Sequence, residues 1–160
     1  MEFIVATRKE EFDAGKALFL EYIEQLGIDL SFQNLEEELS MITTQYGAPS
    51  GGLILLKEAN EAVGCVGIRK FEPQVAEVKR MFIQPAFRSR GMGKPLLSEA
   101  IQLARSLNYR ALRLDTLPFM RKAITLYHAM GFREIEPYRY NPIEGTRYFE
   151  LDLTTAVVKG

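Results

Sequence analysis

A stretch in the second half of the chain constrains the fold more than any other. The apolar segment 75–83 precedes a basic, glycine-containing loop, then a helical pattern over 93–107 and a second apolar segment at 110–115. Two strands joined through a helix form a right-handed crossover and lie parallel in one sheet. The sequence therefore predicts one parallel pair, with the connecting helix beginning at the basic loop.

The other segments place this pair in a mixed sheet. Short apolar or alternating runs bounded by polar turns predict strands, and apolar residues at helical spacing predict helices. Besides the pair, the predicted strands are 2–7, 52–58, 62–71 and 146–154. The other predicted helices are 10–27, ending at Gly27, then 31–46, and 119–132, stopped by Gly131. A loop at 46–52 separates the helical first third from the strands.

The composition predicts one globular domain over residues 1–160. Lys and Arg number 20 against 21 Asp and Glu, so the net charge of −1 gives no whole-chain case for nucleic acid or an anionic membrane. The single cysteine forms no internal disulfide, and the lone His128 forms no metal site. Neither a secretory signal nor an apolar run of about 20 residues is present, so a cytoplasmic location is expected.

The loop "FRSRGMGKPL" (87–96) has the chemistry of an anion site. Gly91 and Gly93 allow close backbone approach, and the free N–H groups of a helix start attract phosphate. Arg88, Arg90 and Lys94 add cationic donors. The loop matches neither the P-loop nor the dinucleotide fingerprint, so a solvated basic turn remains an alternative on these residues alone.

The strand before the loop carries Glu77, Lys79 and Arg80 among apolar residues. A strand flanked by other strands and a crossover helix is expected to be dry, and buried charges are costly. Charges on both of its faces indicate a polar cleft. The alternative is a surface ion pair between Glu77 and Lys79.

Three segments in this order resemble the GNAT superfamily of acyl-CoA-dependent N-acetyltransferases. They are "EVKRMFIQPAFRSRGMGKPLL", "LRLDT" and "AITLYHAMGF". The family's loop pattern [RQ]-x-x-G-x-[GA] is matched by Arg88, Gly91 and Gly93. The resemblance is detailed over about residues 62–135, and elsewhere it extends to the order of elements. It implies a single α/β (α+β) domain with a mixed, mostly antiparallel sheet of about six to seven strands, a splayed parallel pair and flanking helices.

The resemblance also implies an activity and a site. Acetyl-CoA would donate its acetyl group directly to a primary amine of a small molecule or peptide. The backbone of Met81, Phe82 and Ile83 would pair with the pantetheine arm, and Thr116, Ala123 and Tyr127 would line the thioester end. The residues whose amides would hold the pyrophosphate are Arg88, Ser89, Arg90, Gly91, Met92, Gly93 and Lys94.

Two residues are candidates for catalysis. Tyr127 stands at the family's position for protonating the leaving thiolate, and Glu77 is a candidate base for the amine. A base needs a raised pKa, which the neighbouring Lys79 and Arg80 oppose. Tyr127 is alternatively a core tyrosine, and Cys65 is expected to be a small core residue rather than a nucleophile.

The segment "YRYNPIEGTRYF" (138–149) resembles the loop before the last strand that shapes the acceptor pocket in many members of that family. Its candidate contacts are Tyr138, Tyr140 and Asn141, although an ordered surface loop is an equal alternative. Two other functions stay open: a non-catalytic acyl-CoA-binding sensor or regulatory module, and a basic loop that docks on phosphorylated partners or RNA. The resemblance allows a homodimer, and the sequence does not identify the acceptor.

Overall fold

A computed structural model describes residues 1–27 and 34–155 and contains one seven-stranded sheet. The strands are β1 (Glu2–Val5), β2 (Gly52–Glu58), β3 (Glu61–Glu72), β4 (Val75–Ile83), β5 (Ala111–Thr116), β6 (Arg133–Ile135) and β7 (Arg147–Asp152). Their order across the sheet is β1-β2-β3-β4-β5-β7-β6. The predicted mixed sheet is confirmed, because β4 and β5 run parallel while the other described neighbours run antiparallel.

The parallel pair separates soon after it forms. Val75–Glu77 of β4 pairs with Ala111–Arg113 of β5, and no pairing between these strands is recorded beyond those three residues of each. Each strand keeps its other neighbour, since β4 pairs with β3 as far as Ile83 and β5 pairs with β7 as far as Thr116. A gap therefore opens inside the sheet between the carboxyl ends of β4 and β5.

Helices cover both faces of the sheet. They are α1 (Lys9–Leu26), α2 (Leu35–Ser40), α3 (Ile42–Gln45), α4 (Gly93–Ser106) and α5 (Arg121–Ala129), with a short 3-10 helix at Pro85–Phe87. One apolar cluster joins α4 and α5 to the sheet through residues such as Leu96, Leu97 and Leu112. A second joins α1 and α3 to the opposite face through Phe19, Tyr46 and Leu53.

A bulge in β4 redirects its side chains. Cys65 of β3 pairs with Phe82 and Gly67 pairs with Lys79, so Val66 lies opposite two residues of β4 instead of one. Arg80, within the bulge, has φ 58°. The bulge changes the face of the even-numbered residues: Ala76 and Val78 pack in the cluster under α4, whereas Arg80 reaches Glu38 of α2 and Phe82 packs in the cluster under α1. Without the extra residue, the pleat would turn Arg80 toward the apolar layer under α4.

Two predictions of local structure were wrong. The helix predicted over 31–46 is two short helices within residues 34–46, because the backbone leaves helical geometry at Met41 (φ −109°, ψ 20°); residues 31–33 lie outside the described ones. The strand Arg133–Ile135 was missed, since three residues with two exposed charged side chains give no apolar pattern. Gly27 and Gly131, at φ 63° and 96°, lie where helix ends were predicted.

No helix in the ranges 1–27 and 34–155 is long and apolar enough to cross a membrane.

We expect Glu11→Gln to weaken the start of α1. The Glu11 carboxylate accepts the backbone N–H groups of Thr7 and Arg8 at 2.9 and 3.0 Å, and these bonds lower its pKa from 4.5 to about 2. The melting temperature should fall by about 2–4 °C, as for the loss of a helix cap. Because the folded pKa is the lower one, the wild-type advantage should be full above about pH 4.5 and disappear as the pH falls through about 2.

The control is Glu10→Gln, which removes a charge from the same helical turn at an exposed ion pair with Arg8. Thermal unfolding of both variants across pH makes the comparison. An equal fall in melting temperature in the two variants would show that loss of the Glu11 cap does not cause the destabilisation.

Candidate active site

The gap between β4 and β5 holds a cavity of about 70 Å³. Its walls are the segment Val78–Met81 of β4 and the segment Leu114–Leu117 at the end of β5. Tyr22 of α1, Tyr127 of α5 and Asn141 of the loop before β7 are among the other residues that line it. Five separate parts of the chain thus meet where the parallel strands stop pairing.

Tyr127 presents a protonated phenol to this cavity. Its ring is buried and packs against Phe132 and Phe149, with centroids 5.8 and 5.9 Å away. Burial raises the pKa of the hydroxyl well above its usual range, and the nearby Tyr22 and Asp115 add to the rise. The side chain is both a core tyrosine and a cavity-lining one, so the two interpretations of the sequence are compatible.

A buried ion pair spans the gap. The Lys79 Nζ lies 4.0 Å from an Asp115 carboxylate oxygen, and burial lowers the lysine pKa against the opposing effect of Glu77 and Asp115. The other oxygen of Asp115 is buried and has no hydrogen-bond partner within the described ranges. The sequence analysis missed Asp115 as a site residue, although a carboxylate inside the strand "LRLDT" is a signal that could have identified it.

Glu77 is completely buried and fully engaged. It pairs with Arg139 at 2.6 Å and Arg69 at 3.2 Å, and it accepts the Tyr138 hydroxyl at 2.9 Å. Burial alone would raise its pKa, but the charges of Lys79, Arg139 and Arg69 and the tyrosine hydrogen bond together hold the pKa below its usual range. It borders a neighbouring pocket with Arg69 and Arg139 rather than the cavity at the gap.

Arg80 and Glu38 form a second buried network beside the first. The guanidinium donates to the two carboxylate oxygens at 3.0 and 3.1 Å, and the Tyr46 hydroxyl donates to the same carboxylate at 3.2 Å. The Arg80 carbonyl, inside the bulge, accepts the Cys65 thiol at 3.2 Å. Burial raises the pKa of that thiol, so Cys65 is a protonated core residue rather than a nucleophile.

The glycine loop presents backbone rather than arginine side chains. Arg88 donates to the Ile83 carbonyl at 2.8 Å, and Arg90 pairs with Glu58 at 3.0 Å. Gly91 has φ 71°, and a Cβ there would meet nothing within 4 Å. Helix α4 begins at Gly93 with no side-chain cap from the described residues and no acid in its first turn. Its free N–H groups suit an anion, and the exposed Lys94 adds charge.

The remaining predicted residues divide into two groups. Met81 and Thr116 line the cavity, as does Asn141. The others do not line it. Phe82 is a core side chain, and Ile83 and Ala123 pack at the edge of the core. Ser89 and Met92 lie in the glycine loop. Of the two loop tyrosines, Tyr138 bonds to Glu77 and Tyr140 lies at the surface, 82% exposed. The geometry therefore brings Thr116 and Tyr127 of the predicted thioester end together but leaves Ala123 outside the cavity wall.

Comparison with known proteins identifies the family. The family model described as the acetyltransferase (GNAT) family matches residues 17–132. The chain belongs to the GNAT acetyltransferase family. A protein of Schizosaccharomyces pombe named "uncharacterized N-acetyltransferase" is 36% identical over 147 residues, covering 91% of this chain and 90% of that one.

Solved structures share the fold. A GNAT-family acetyltransferase from Staphylococcus aureus has a TM-score of 0.76 at 23% identity, covering 96% of this chain and 99% of its own. An acetyltransferase from Salmonella typhimurium, described with its cofactor acetyl-CoA, has a TM-score of 0.69 at 14% identity, with 98% and 96% covered. The fold and family expected from the three sequence segments are confirmed, and this GNAT chain is an N-acetyltransferase by family.

We expect Glu77→Gln to destabilise the protein by roughly 3–5 kcal/mol near pH 7, because it removes the buried carboxylate that two partly buried arginines share. Since folding lowers the pKa of Glu77, its contribution is full above the unfolded value of about 4.5 and is lost as the pH falls through the folded value. The difference in free energy of unfolding between variant and wild type should therefore decrease at acid pH.

Urea unfolding of both proteins at several pH values measures this difference. Glu72→Gln is the matched control, because the Glu72 side chain is half exposed and lies 3.7 Å from Arg113. Equal stability of the Glu77 variant and wild type at pH 7 would contradict the expected role of the buried network.

Proposed function

We propose that this GNAT chain transfers the acetyl group of acetyl-CoA directly to the primary amine of a small molecule or peptide. One observation carries the proposal: the cavity between the separated strands β4 and β5 has Tyr127 in its wall. The Salmonella neighbour with acetyl-CoA supports the same donor.

We further propose that residues 1–160 act as one domain in the cytoplasm. We also propose that the chain forms a homodimer, which light scattering tests.

The loop and the start of α4 have the features that a pyrophosphate requires. The open space around Gly91 lets phosphate oxygens approach the backbone, and the uncapped N–H groups at the start of α4 supply donors without a competing side chain. We assign this role to the backbone of residues 88–94. Arg88 and Arg90 act mainly by holding the loop to Ile83 and Glu58.

The gap fits an extended arm beside β4. Beyond Glu77 no strand among residues 1–27 and 34–155 pairs with the β5 side of β4, so backbone groups on that edge are available to a ligand lying along it. We assign the pantetheine contact to Met81, Phe82 and Ile83, and the thioester end to Thr116 and Tyr127, with Ala123 behind them.

The reaction sets two proton requirements. An amide C–N bond forms as the thioester C–S bond breaks, so the nitrogen loses a proton and the leaving sulfur gains one. The Tyr127 phenol supplies the proton that the leaving sulfur gains, because its raised pKa keeps it protonated and it lines the cavity.

Two carboxylates are candidates for accepting the proton that the amine nitrogen loses. Glu77 is held ionised by two arginines and borders the adjoining pocket, so any contact with the amine would have to pass through an intervening water. Asp115 lines the cavity itself and has a carboxylate oxygen without a partner among residues 1–27 and 34–155. The geometry favours Asp115 for direct contact with the amine and Glu77 for holding the surrounding network.

The other functions fit less well. A sensor that binds acyl-CoA without turnover has no need of a phenol in the wall of the cavity, and the relatives are named N-acetyltransferases. A basic docking loop needs free cationic side chains, whereas Arg88 and Arg90 bond to groups of the chain itself.

We expect Gly91→Asp to abolish stabilisation by acetyl-CoA, because it places a carboxylate where the pyrophosphate would lie. Acetyl-CoA at ~100 times its dissociation constant adds about 2.7 kcal/mol, a shift in melting temperature of roughly 5–10 °C. The matched control is Gly91→Asn, which has nearly the same shape and tolerates a positive φ equally well. If both variants keep the full shift, the proposed pyrophosphate site is wrong.

We expect Tyr127→Phe to lower kcat by roughly a hundredfold or more while the shift with acetyl-CoA persists, because the variant loses the proton donor alone. Release of CoA thiol with an amine acceptor measures kcat. Tyr109→Phe is the control, since that hydroxyl donates to the Ser50 carbonyl and Tyr109 does not line the cavity. An unchanged kcat in the Tyr127 variant would exclude it as the acid.

A further inference from the structure

Lys79 is a buried amine in the wall of the candidate active site. Its side chain is 4% exposed and lines the cavity between β4 and β5. Within residues 1–27 and 34–155, no hydrogen bond from its Nζ is recorded, and the carboxylate of Asp115 lies 4.0 Å away. A primary amine is a nucleophile in its neutral form. Acetyl transfer as proposed uses Tyr127 and Asp115 but gives this amine no role.

Lys79 and Tyr127 reach the cavity from opposite faces of the sheet. Tyr127 belongs to the apolar cluster beneath α4 and α5, together with Val78 of β4 and Leu114 of β5. Adjacent residues of a strand point to opposite faces, so Lys79 and Asp115 lie on the face covered by α1 to α3. A ligand in the gap therefore has a phenol on one side and a primary amine on the other.

The cavity is small enough to bring both groups close to an acetyl group. Its volume of about 70 Å³ is that of roughly two water molecules. An acetyl group fills most of such a space, so one that enters the cavity lies against its walls. Lys79 and Tyr127 are both part of those walls.

The surroundings of Lys79 favour the reactive, neutral form. Burial lowers the pKa of its ammonium, and the charges of Arg80 and Arg69 lower it further, whereas Glu77 and Asp115 oppose them. At a given pH this lysine is therefore neutral more often than a lysine at the surface. Asp115, 4.0 Å from the Nζ, is a base within reach of its proton.

We propose that Lys79 is a self-acetylation site, modified by acetyl-CoA bound to the same chain when no acceptor amine is present. The ammonium first gives one proton to solvent by way of Asp115. The neutral Nζ then attacks the thioester carbon, so the C–N bond of an acetyllysine forms and the C–S bond breaks. In this step the nitrogen loses a proton and the leaving sulfur gains one from Tyr127, so protons balance. The inference rests on the proposed acetyl transfer, because it uses the same donor site.

Acetylation of Lys79 closes the site. The added group occupies a cavity with room for little more than an acetyl group, and it removes the positive charge beside Asp115. Modification therefore stops after one acetyl group per chain. In the acetylated protein, the shift in melting temperature with acetyl-CoA should fall to the shift given by CoA, and a full acetyl-CoA shift would contradict this closure.

Mass spectrometry of the wild-type chain tests the inference without an acceptor. The protein is incubated with acetyl-CoA alone and its peptides are mapped, while released CoA thiol is measured in parallel. We expect one acetyl group per chain, on Lys79, and one equivalent of thiol. Lys70, an exposed lysine of β3, reports chemical acetylation from solution. Lys79 should react faster than Lys70 by roughly a hundredfold or more, because the bound donor is held beside it; equal rates would overturn the inference.

Free CoA distinguishes transfer within the cavity from reaction with acetyl-CoA in solution. Excess CoA competes for the donor site, so it should slow the acetylation of Lys79 and leave that of Lys70 unchanged. An unchanged rate at Lys79 would overturn the inference. Lys79→Arg keeps a positive charge opposite Asp115 but removes the amine, so it should release no thiol without an acceptor. Release of one equivalent by this variant would also contradict the assignment.

The shift in melting temperature with acetyl-CoA shows that each protein is folded and binds the donor. If the wild type gives that shift and acetylates a member of a panel of amino acids and alkylamines, but Lys79 stays unmodified, self-acetylation is wrong and acetyl transfer stands. If acetyl-CoA gives no shift and neither Lys79 nor any amine is acetylated, the proposed function fails and this inference fails with it.

Discussion

The separation of β4 from β5 is the constraint on which the rest of this structure depends. Backbone groups inside a sheet normally pair with the adjacent strand, yet these two strands pair over three residues of each and then diverge. The flanking strands keep each of them extended, so the gap does not close by local collapse. Tyr127 and Asp115, the candidate acid and the candidate contact for the amine, reach the cavity because this gap exists.

The bulge in β4 explains why the strand tolerates its charges. A regular pleat would place Lys79 and Arg80 on opposite faces, one of them against the apolar layer under α4. The bulge instead turns Arg80 toward Glu38, leaving Ala76 and Val78 to pack in that layer. The charged sequence "EVKR" is thus compatible with a central strand, and the polar side of the site follows from one extra residue of backbone.

Sequence alone predicted the parts of the fold that depend on local pattern. Alternation and helical spacing identified β4, α4 and β5, and three segments in the right order, the loop among them, indicated the family. β6 was missed because its three residues owe their conformation to pairing with β7 rather than to their own composition. The site was predicted less completely, because its contacts join residues distant in sequence: Asp115 lies beside Lys79, and Arg139 pairs with Glu77.

Contacts within the fold distinguish the two carboxylates near the site, Glu77 and Asp115, of which the sequence indicated only Glu77. Glu77 lies among cations and is saturated by them, which lowers its pKa and makes it a fixed counter-charge. Asp115 has one cationic neighbour at 4.0 Å and an oxygen with nothing bound to it within the described ranges. A carboxylate that structural arginines hold completely cannot also receive an incoming amine, so the group with unused hydrogen-bonding capacity is the one that an acceptor can engage.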